Sequence, residues 1–257
     1  MSDHIRPAHI GTVVLGPGMP AVIVPLLGST REALIDEIAA LDYDDLDLVE
    51  LRIDHFNAVD DLDEVQRAIE TVRDELRRGV PILFTFRSKP EGGHRDIDAG
   101  SYEALLSLAS GLVEAVDVEM FTELGSLERI VNGAHAAGAS VVMSSHEFER
   151  TPTIEQILAR LSLQQDLGAD VVKIAVMPKT PSDVLTLMQA TTEFATTKAV
   201  RPAITMAMGP LGVVSRLAGE VFGSSATFGS VSAASAPGQL SARDVRRALV
   251  AVHAAQG

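Results

Sequence analysis

The chain has 257 residues, 46% of them hydrophobic, and its 35 acidic against 21 basic side chains give a formal charge of −14. That length and apolar content suit one large α/β unit and exclude a disordered chain. With no cysteine there is no disulfide, thiolate metal site or cysteine nucleophile, and so acidic a surface repels nucleic acid.

Residues 1–7 are polar, and no run approaches a membrane span or signal core, so no membrane partner is expected and the location reads as cytoplasmic. Strand-like runs follow at 21–27, 46–53, 81–87, 112–120, 139–146, 170–176, 202–208 and 226–231. The segments between them carry helical spacing, as in Leu62, Val65, Ile69 and Val72, or Ile154, Ile157, Leu158 and Leu161. Ser29-Thr30, Thr151-Pro152-Thr153 and Ser241 are helix starts, and Gly79, Gly138 and Gly168 are helix stops. Eight βα units in about 250 residues is what a (β/α)8 TIM barrel requires, with a doubly wound open sheet as the alternative. Ahead of them, 10–15 and 21–27 flank Gly16-Pro17-Gly18, which reads as an N-terminal β-hairpin closing one end of the barrel. No linker interrupts the series, so residues 1–257 read as a single domain.

Alternation within the strands then locates chemistry. Glu50 and Arg52, Thr85 and Arg87, Asp117 and Glu119, Ser144 and His146, and Met206 and Met208 each alternate with a second set, apolar on most of these strands. In a barrel such faces converge at the lumen mouth, where active sites of this fold lie. The expected ring sets Glu50, Glu91, Asp117 and Glu119 against Arg52, Arg87, Lys173 and Arg216, four charges of each sign, able to compensate one another when buried.

Lys173 lies inside the β-branched run Asp170-Val171-Val172-Lys173-Ile174-Ala175-Val176 and shares a face with Val171 and Ala175. If the bulky face packs on helices, Lys173 points into the lumen, where desolvation disfavours the ammonium and the neutral amine is a nucleophile for carbonyls. A lysine at a strand end reaching water explains the same residue, and this strand alone does not choose. His146, on the adjacent strand, suits the base that removes a proton beside an iminium, while a histidine capping a strand end remains the alternative. Glu91-Gly92-Gly93 is either a plain turn or a turn whose carboxylate orients His146. The remaining histidines lack metal-ligand spacing, and no phosphate or dinucleotide loop is present, so no metal or cofactor is expected.

These residues resemble type I 3-dehydroquinate dehydratases over essentially the whole chain. The resemblance runs through Val49-Glu50-Leu51-Arg52-Ile53-Asp54-His55-Phe56, Thr85-Phe86-Arg87, Glu91-Gly92-Gly93, Asp117-Val118-Glu119 and Met143-Ser144-Ser145-His146-Glu147-Phe148. It continues in Lys173-Ile174-Ala175-Val176-Met177-Pro178, Met208-Gly209, Gly212, Ser215-Arg216-Leu217-Ala218-Gly219 and Ser235-Ala236-Pro237-Gly238-Gln239. It implies a homodimeric barrel without metal or cofactor that dehydrates 3-dehydroquinate to 3-dehydroshikimate through a lysine imine in the shikimate pathway. The matching positions are Lys173 for the imine, His146 for proton transfer and Glu91 as its partner. Glu50, Arg52, Arg87, Arg216, Ser235 and Gln239 match positions that hold substrate.

The resemblance also gives Arg216 a task. It follows the 209–212 turn and is expected at the start of a helix, where free N–H groups and a guanidinium together favour a carboxylate. The 235–239 loop reads as a lid that excludes water. Pro25, Pro210 and Glu147 depart from the commonest family pattern, which has a serine, a lysine and an aspartate there, and none of them removes a catalytic group. The competing functions are a class I aldolase, which also uses a barrel lysine imine, and a non-catalytic binding relative, which would be expected to lose Lys173 or His146.

Overall fold

The computed structural model describes residues 4–231 and 240–256. Among the described residues, eight parallel strands form one sheet: β3 (Ala21–Leu26), β4 (Leu48–Arg52), β5 (Ile82–Thr85), β6 (Ala115–Glu119), β7 (Ser140–Glu147), β8 (Val171–Val176), β9 (Ala203–Ala207) and β10 (Ala226–Phe228). Each pairs with the next in sequence, and β10 returns to β3, which wraps the sheet into a nearly closed barrel. The seam between β9 and β10 is carried by a bridge between Ala203 and Ser224, where the Ser225 N–H donates to Ala203 O at 2.7 Å. Ser224 Oγ also accepts from the Thr205 N–H at 3.0 Å, so a side chain substitutes for ladder that the three-residue β10 is too short to supply.

Between the strands run α1 (Arg31–Ala39), α2 (Leu62–Glu75), α3 (Ala99–Ser110), α4 (Leu124–Ala137), α5 (Ile154–Asp166), α6 (Pro181–Thr197), the short α7 (Val213–Leu217) and α8 (Gly219–Phe222), and α9 (Ala242–Ala254). Thr30, Thr153 and Ser241 are N-caps, each accepting a backbone N–H of the first turn, as the sequence indicates. The outward faces of the strands carry Val49, Leu51, Phe84, Phe86, Val172 and Ile174, all buried under helix stripes such as Val65, Ile69 and Val72. Each fully buried side chain of this kind stabilises the fold by about 1.5–3 kcal/mol.

The lumen holds a second core. Ile23, Leu48, Leu83, Val142, Val171 and Ile204 fill its lower part, closed from below by the hairpin β1 (Ala8–Ile10) and β2 (Val13–Leu15), whose Ala8, Ile10 and Leu15 join the same cluster. The hairpin does close one end, but its turn is at Gly11-Thr12 and not at Gly16-Pro17-Gly18. Ile10 pairs with Val13, and Gly11 at φ +56 provides the left-handed residue so tight a reversal needs. A Cβ there would also meet Glu114 Cγ at 2.9 Å.

Ile10 is fully buried and far in sequence from the mouth residues, so Ile10→Ala should lower unfolding free energy by about 2–5 kcal/mol. Urea denaturation measures this, and turnover per folded molecule should stay at the parent value. A loss under about 1 kcal/mol would mean the hairpin is not part of the core.

Candidate active site

Strand register stacks the polar residues above this apolar layer. Arg52 lies opposite Thr85, Thr85 opposite Asp117, Glu119 opposite Ser144, and Ser144 opposite Lys173. Lys173 shares the lumen face with Val171 and Ala175 and is only 3% exposed, so the strand-end alternative is excluded. Its Nζ sits 3.0 Å from Asp117 Oδ2, 3.6 Å from Glu50 Oε1 and 4.9 Å from the centre of the Phe228 ring.

Asp117 is fully buried and takes the Arg87 guanidinium and the Ser144 hydroxyl on its other oxygen, both at 2.6 Å. Burial alone would raise its carboxyl, but Arg87 and Lys173 hold it well below the usual carboxylate range. Arg87 also donates to Glu119 at 3.0 Å and to Ser144 at 2.8 Å. Burial works against its charge, yet Asp117, Glu119 and Glu91 raise its pKa further. Glu50 is held by the Thr85 hydroxyl at 3.0 Å.

Glu91 ends a short 3-10 turn, 89–91, after β5, and the following glycines let the chain fold back. Gly92 has φ +83, the Gly93 N–H returns to Ser88 O at 2.8 Å, and a Cβ on Gly93 would collide with the Arg87 carbonyl. The turn aims Glu91 at His146: Oε2 accepts the His146 main-chain N–H and sits 2.8 Å from Nδ1. A carboxylate there fixes the imidazole with its proton on Nδ1 and leaves the Nε2 lone pair free. Burial, then Arg87 and Lys173, push the His146 pKa well below its ordinary value, so the ring is neutral. Burial also pushes the Glu91 carboxyl up to about 7, with Arg87 opposing.

Glu50, Arg52, Arg87, Glu91, His146, Lys173 and Arg216 all border one cavity of about 200 Å³, with apolar walls from Met206, Met208, Phe148 and Phe228. Pro25 borders it too. Ser235 and Gln239, and with them the expected lid, lie outside the described residues.

Two expectations need correction. The ring is not a balanced four against four. Arg52 forms a bidentate pair with Asp54, at 2.9 and 3.0 Å. Among the described residues Arg216 has no carboxylate, only Met206 Sδ at 3.8 Å from Nη1 and an unpartnered Nε. Arg216 also lies in the last turn of the five-residue α7 and not at a helix start. Anion recognition therefore falls to its guanidinium alone, which is buried enough for its pKa to be lowered.

Asp54 takes part in the site although strand alternation did not single it out. Asp54 is buried in the 53–55 turn, past the end of β4, and also accepts the Arg87 and His94 N–H groups. Its spacing from Arg52 in Glu50-Leu51-Arg52-Ile53-Asp54 was the available signal.

Comparison with known proteins decides the family. The type I 3-dehydroquinase family pattern matches residues 22–256. The chain belongs to that family. The 3-dehydroquinate dehydratase of Syntrophotalea carbinolica is 50% identical over 243 residues, covering 94% of this chain and 96% of that protein. That of Salmonella paratyphi B is 47% identical over 253 residues, covering 98% and 100%. Among solved structures, the type I 3-dehydroquinate dehydratase of Clostridium difficile with covalent modified comenic acid superposes with a TM-score of 0.95 at 40% identity, covering 98% and 99%. The enzyme class that goes with the family is a carbon–oxygen hydro-lyase.

In this 3-dehydroquinase-family barrel the raised Glu91 makes stability pH-dependent. Its folded pKa of about 7 exceeds the unfolded value near ~4.3, so the native state binds the extra proton between them and loses stability as pH rises through that window. Glu91→Gln abolishes this titration. Its unfolding free energy relative to the parent should therefore increase between pH 5 and pH 8 by roughly 1–3 kcal/mol. A difference that stays constant with pH would contradict the assignment.

Proposed function

We propose that this protein converts 3-dehydroquinate to 3-dehydroshikimate and water, with Lys173 forming an imine and His146 acting as general acid and base. The reading is carried by the buried Lys173 beside the Glu91–His146 pair, in one cavity with the Arg216 guanidinium, which has no carboxylate partner among the described residues. The covalent modified ligand of the Clostridium difficile relative agrees with it.

The chemistry follows from the groups present. Lys173 must first lose a proton to attack the substrate ketone. Asp117, held strongly acidic by Arg87, is a poor acceptor, so that proton passes to the neutral His146, which Glu91 orients. The amine adds to the carbonyl, His146 returns that proton to the carbinolamine hydroxyl, which leaves as water, and the resulting iminium draws electrons from the adjacent carbon. His146 takes the proton released there. The hydroxyl one carbon further on departs with that proton as water, and a second water hydrolyses the imine to release the enone and return Lys173. One molecule of water is lost overall.

Arg216 grips the substrate carboxylate, which supplies the missing counter-charge. Glu50 and Arg52 face the cavity to hold hydroxyls, and Arg87 holds Asp117 and Glu119 while bordering the same space. Ser235 and Gln239 belong to the proposal through their family match. The same match supports a cytoplasmic homodimer whose whole chain is one catalytic domain of the shikimate pathway.

Ultraviolet absorbance of the conjugated enone tests the activity directly. 3-Dehydroquinate should yield that signal, whereas an aldolase would give carbon–carbon cleavage products and a binding relative no change. Lys173→Ala should lose nearly all turnover, and turnover at the parent rate would reject the covalent route. His146→Ala should slow turnover by about 10²–10⁴-fold yet still accumulate borohydride-trapped adduct.

Arg216→Ala removes a charge-assisted contact of about 1.5–3 kcal/mol, so kcat/KM should fall by about tenfold or more while imine trapping survives at saturating substrate. An unchanged KM would place the carboxylate elsewhere.

A further inference from the structure

Gln164 is the fully buried polar residue of the inner stripe of α5, which it shares with Ile157, Leu158 and Leu161. Helical spacing puts it one turn beyond Leu161, where an apolar side chain would occupy the space without desolvating an amide. The amide is used on one target. Oε1 accepts the Lys173 N–H at 2.9 Å, and Nε2 donates to the Lys173 carbonyl at 3.0 Å, with Met120 Sδ at 3.5 Å. Both strong bonds thus go to the main chain of the residue whose side chain carries the chemistry.

We propose that Gln164 is a positioning residue that sets the depth and rotation of Lys173 within the barrel; this rests on the reading that Lys173 forms the imine. A strand residue presents its N–H and C=O on the same side of the strand. Two bonds from one planar amide therefore fix where Cα sits and how far the strand is turned about its own axis. Those two quantities aim Cβ and the chain beyond it. A free lysine tolerates error, because its four-carbon stem lets Nζ reach Asp117 from a displaced Cα. The imine does not, since the substrate is then tied to Lys173 at one end and gripped by Arg216 at the other. The hydrogen to be removed must meet His146, which stands two residues further up the neighbouring strand, opposite Ala175. A displaced Cα moves the substrate carbon relative to that base, and misplacement of about 1 Å is enough for a 10²-fold loss.

Gln164→Met, close in length but unable to make either bond, should keep KM within about twofold and lower kcat per folded molecule by about 10–100-fold. Gln164→Glu supplies both bonds only while protonated, so its kcat should approach the parent value at low pH and fall away as pH rises. A folded Gln164→Met with parent kcat, or one that loses only stability, would overturn the proposal. If Gln164→Met does not fold, the Gln164→Glu profile decides: divergence from the parent at rising pH supports the role, and a parent-like profile overturns it. Borohydride trapping separates the two layers. No lysine adduct in the parent would refute the imine reading on which the role rests. Adduct in the parent and in folded variants, with kcat unchanged, would refute only the positioning role.

Discussion

Asp117, itself fully buried, takes the charge of both Arg87 and Lys173, and the layout of the mouth depends on that contact. A buried charge is tolerated only when it is paired and its remaining hydrogen-bonding positions are filled. Removing one member of such an array typically costs about 3–5 kcal/mol, because the others are left unpaired. Ser144 and Arg87 occupy one Asp117 oxygen and Lys173 the other, while Glu119 and Glu50 take the cationic surplus. The strands at the mouth are therefore tied to one another by side chains as well as by the ladder.

That arrangement also divides the labour among the cations. Arg87 is engaged on several sides and Arg52 is locked to Asp54, so neither is free to swing. Arg216 is buried and, among the described residues, has no carboxylate partner. On the function proposed above, that guanidinium gives an acidic protein a local site for a negatively charged substrate. The apolar layer beneath, sealed by the β1–β2 hairpin, keeps water from the floor and makes each of these interactions stronger than it would be in solvent.

Strand alternation made much of this legible. Because a strand alternates faces with period two, Lys173 had to share the lumen with Val171 and Ala175 once the bulky Val172 and Ile174 packed outward, and they do. What alternation cannot supply is pairing between strands. It named Arg87, Asp117 and Lys173 as a charged set without saying that Asp117 bridges the other two. It passed over Asp54, which sits past the strand end where period two no longer applies. The hairpin was misplaced because Gly16-Pro17-Gly18 is the stronger local turn signal, while three-residue strands such as Ala8–Ile10 leave almost no periodic trace. Arg216 was assigned to a helix start because a glycine turn precedes it, but the helix that follows is only one turn long. Gln164 did leave a trace, as a polar residue at a core position of an otherwise apolar stripe.

The central claim is that Lys173 bonds covalently to the substrate. The chain's other lysines, Lys89, Lys179 and Lys198, are all exposed, which makes the attachment point readable. Incubation with 3-dehydroquinate and borohydride, followed by digestion and mass spectrometry, measures it directly. The account predicts reduced adduct on the peptide carrying Lys173 and on no other. Enone formation without any adduct, or adduct confined to Lys89, Lys179 or Lys198, would contradict it.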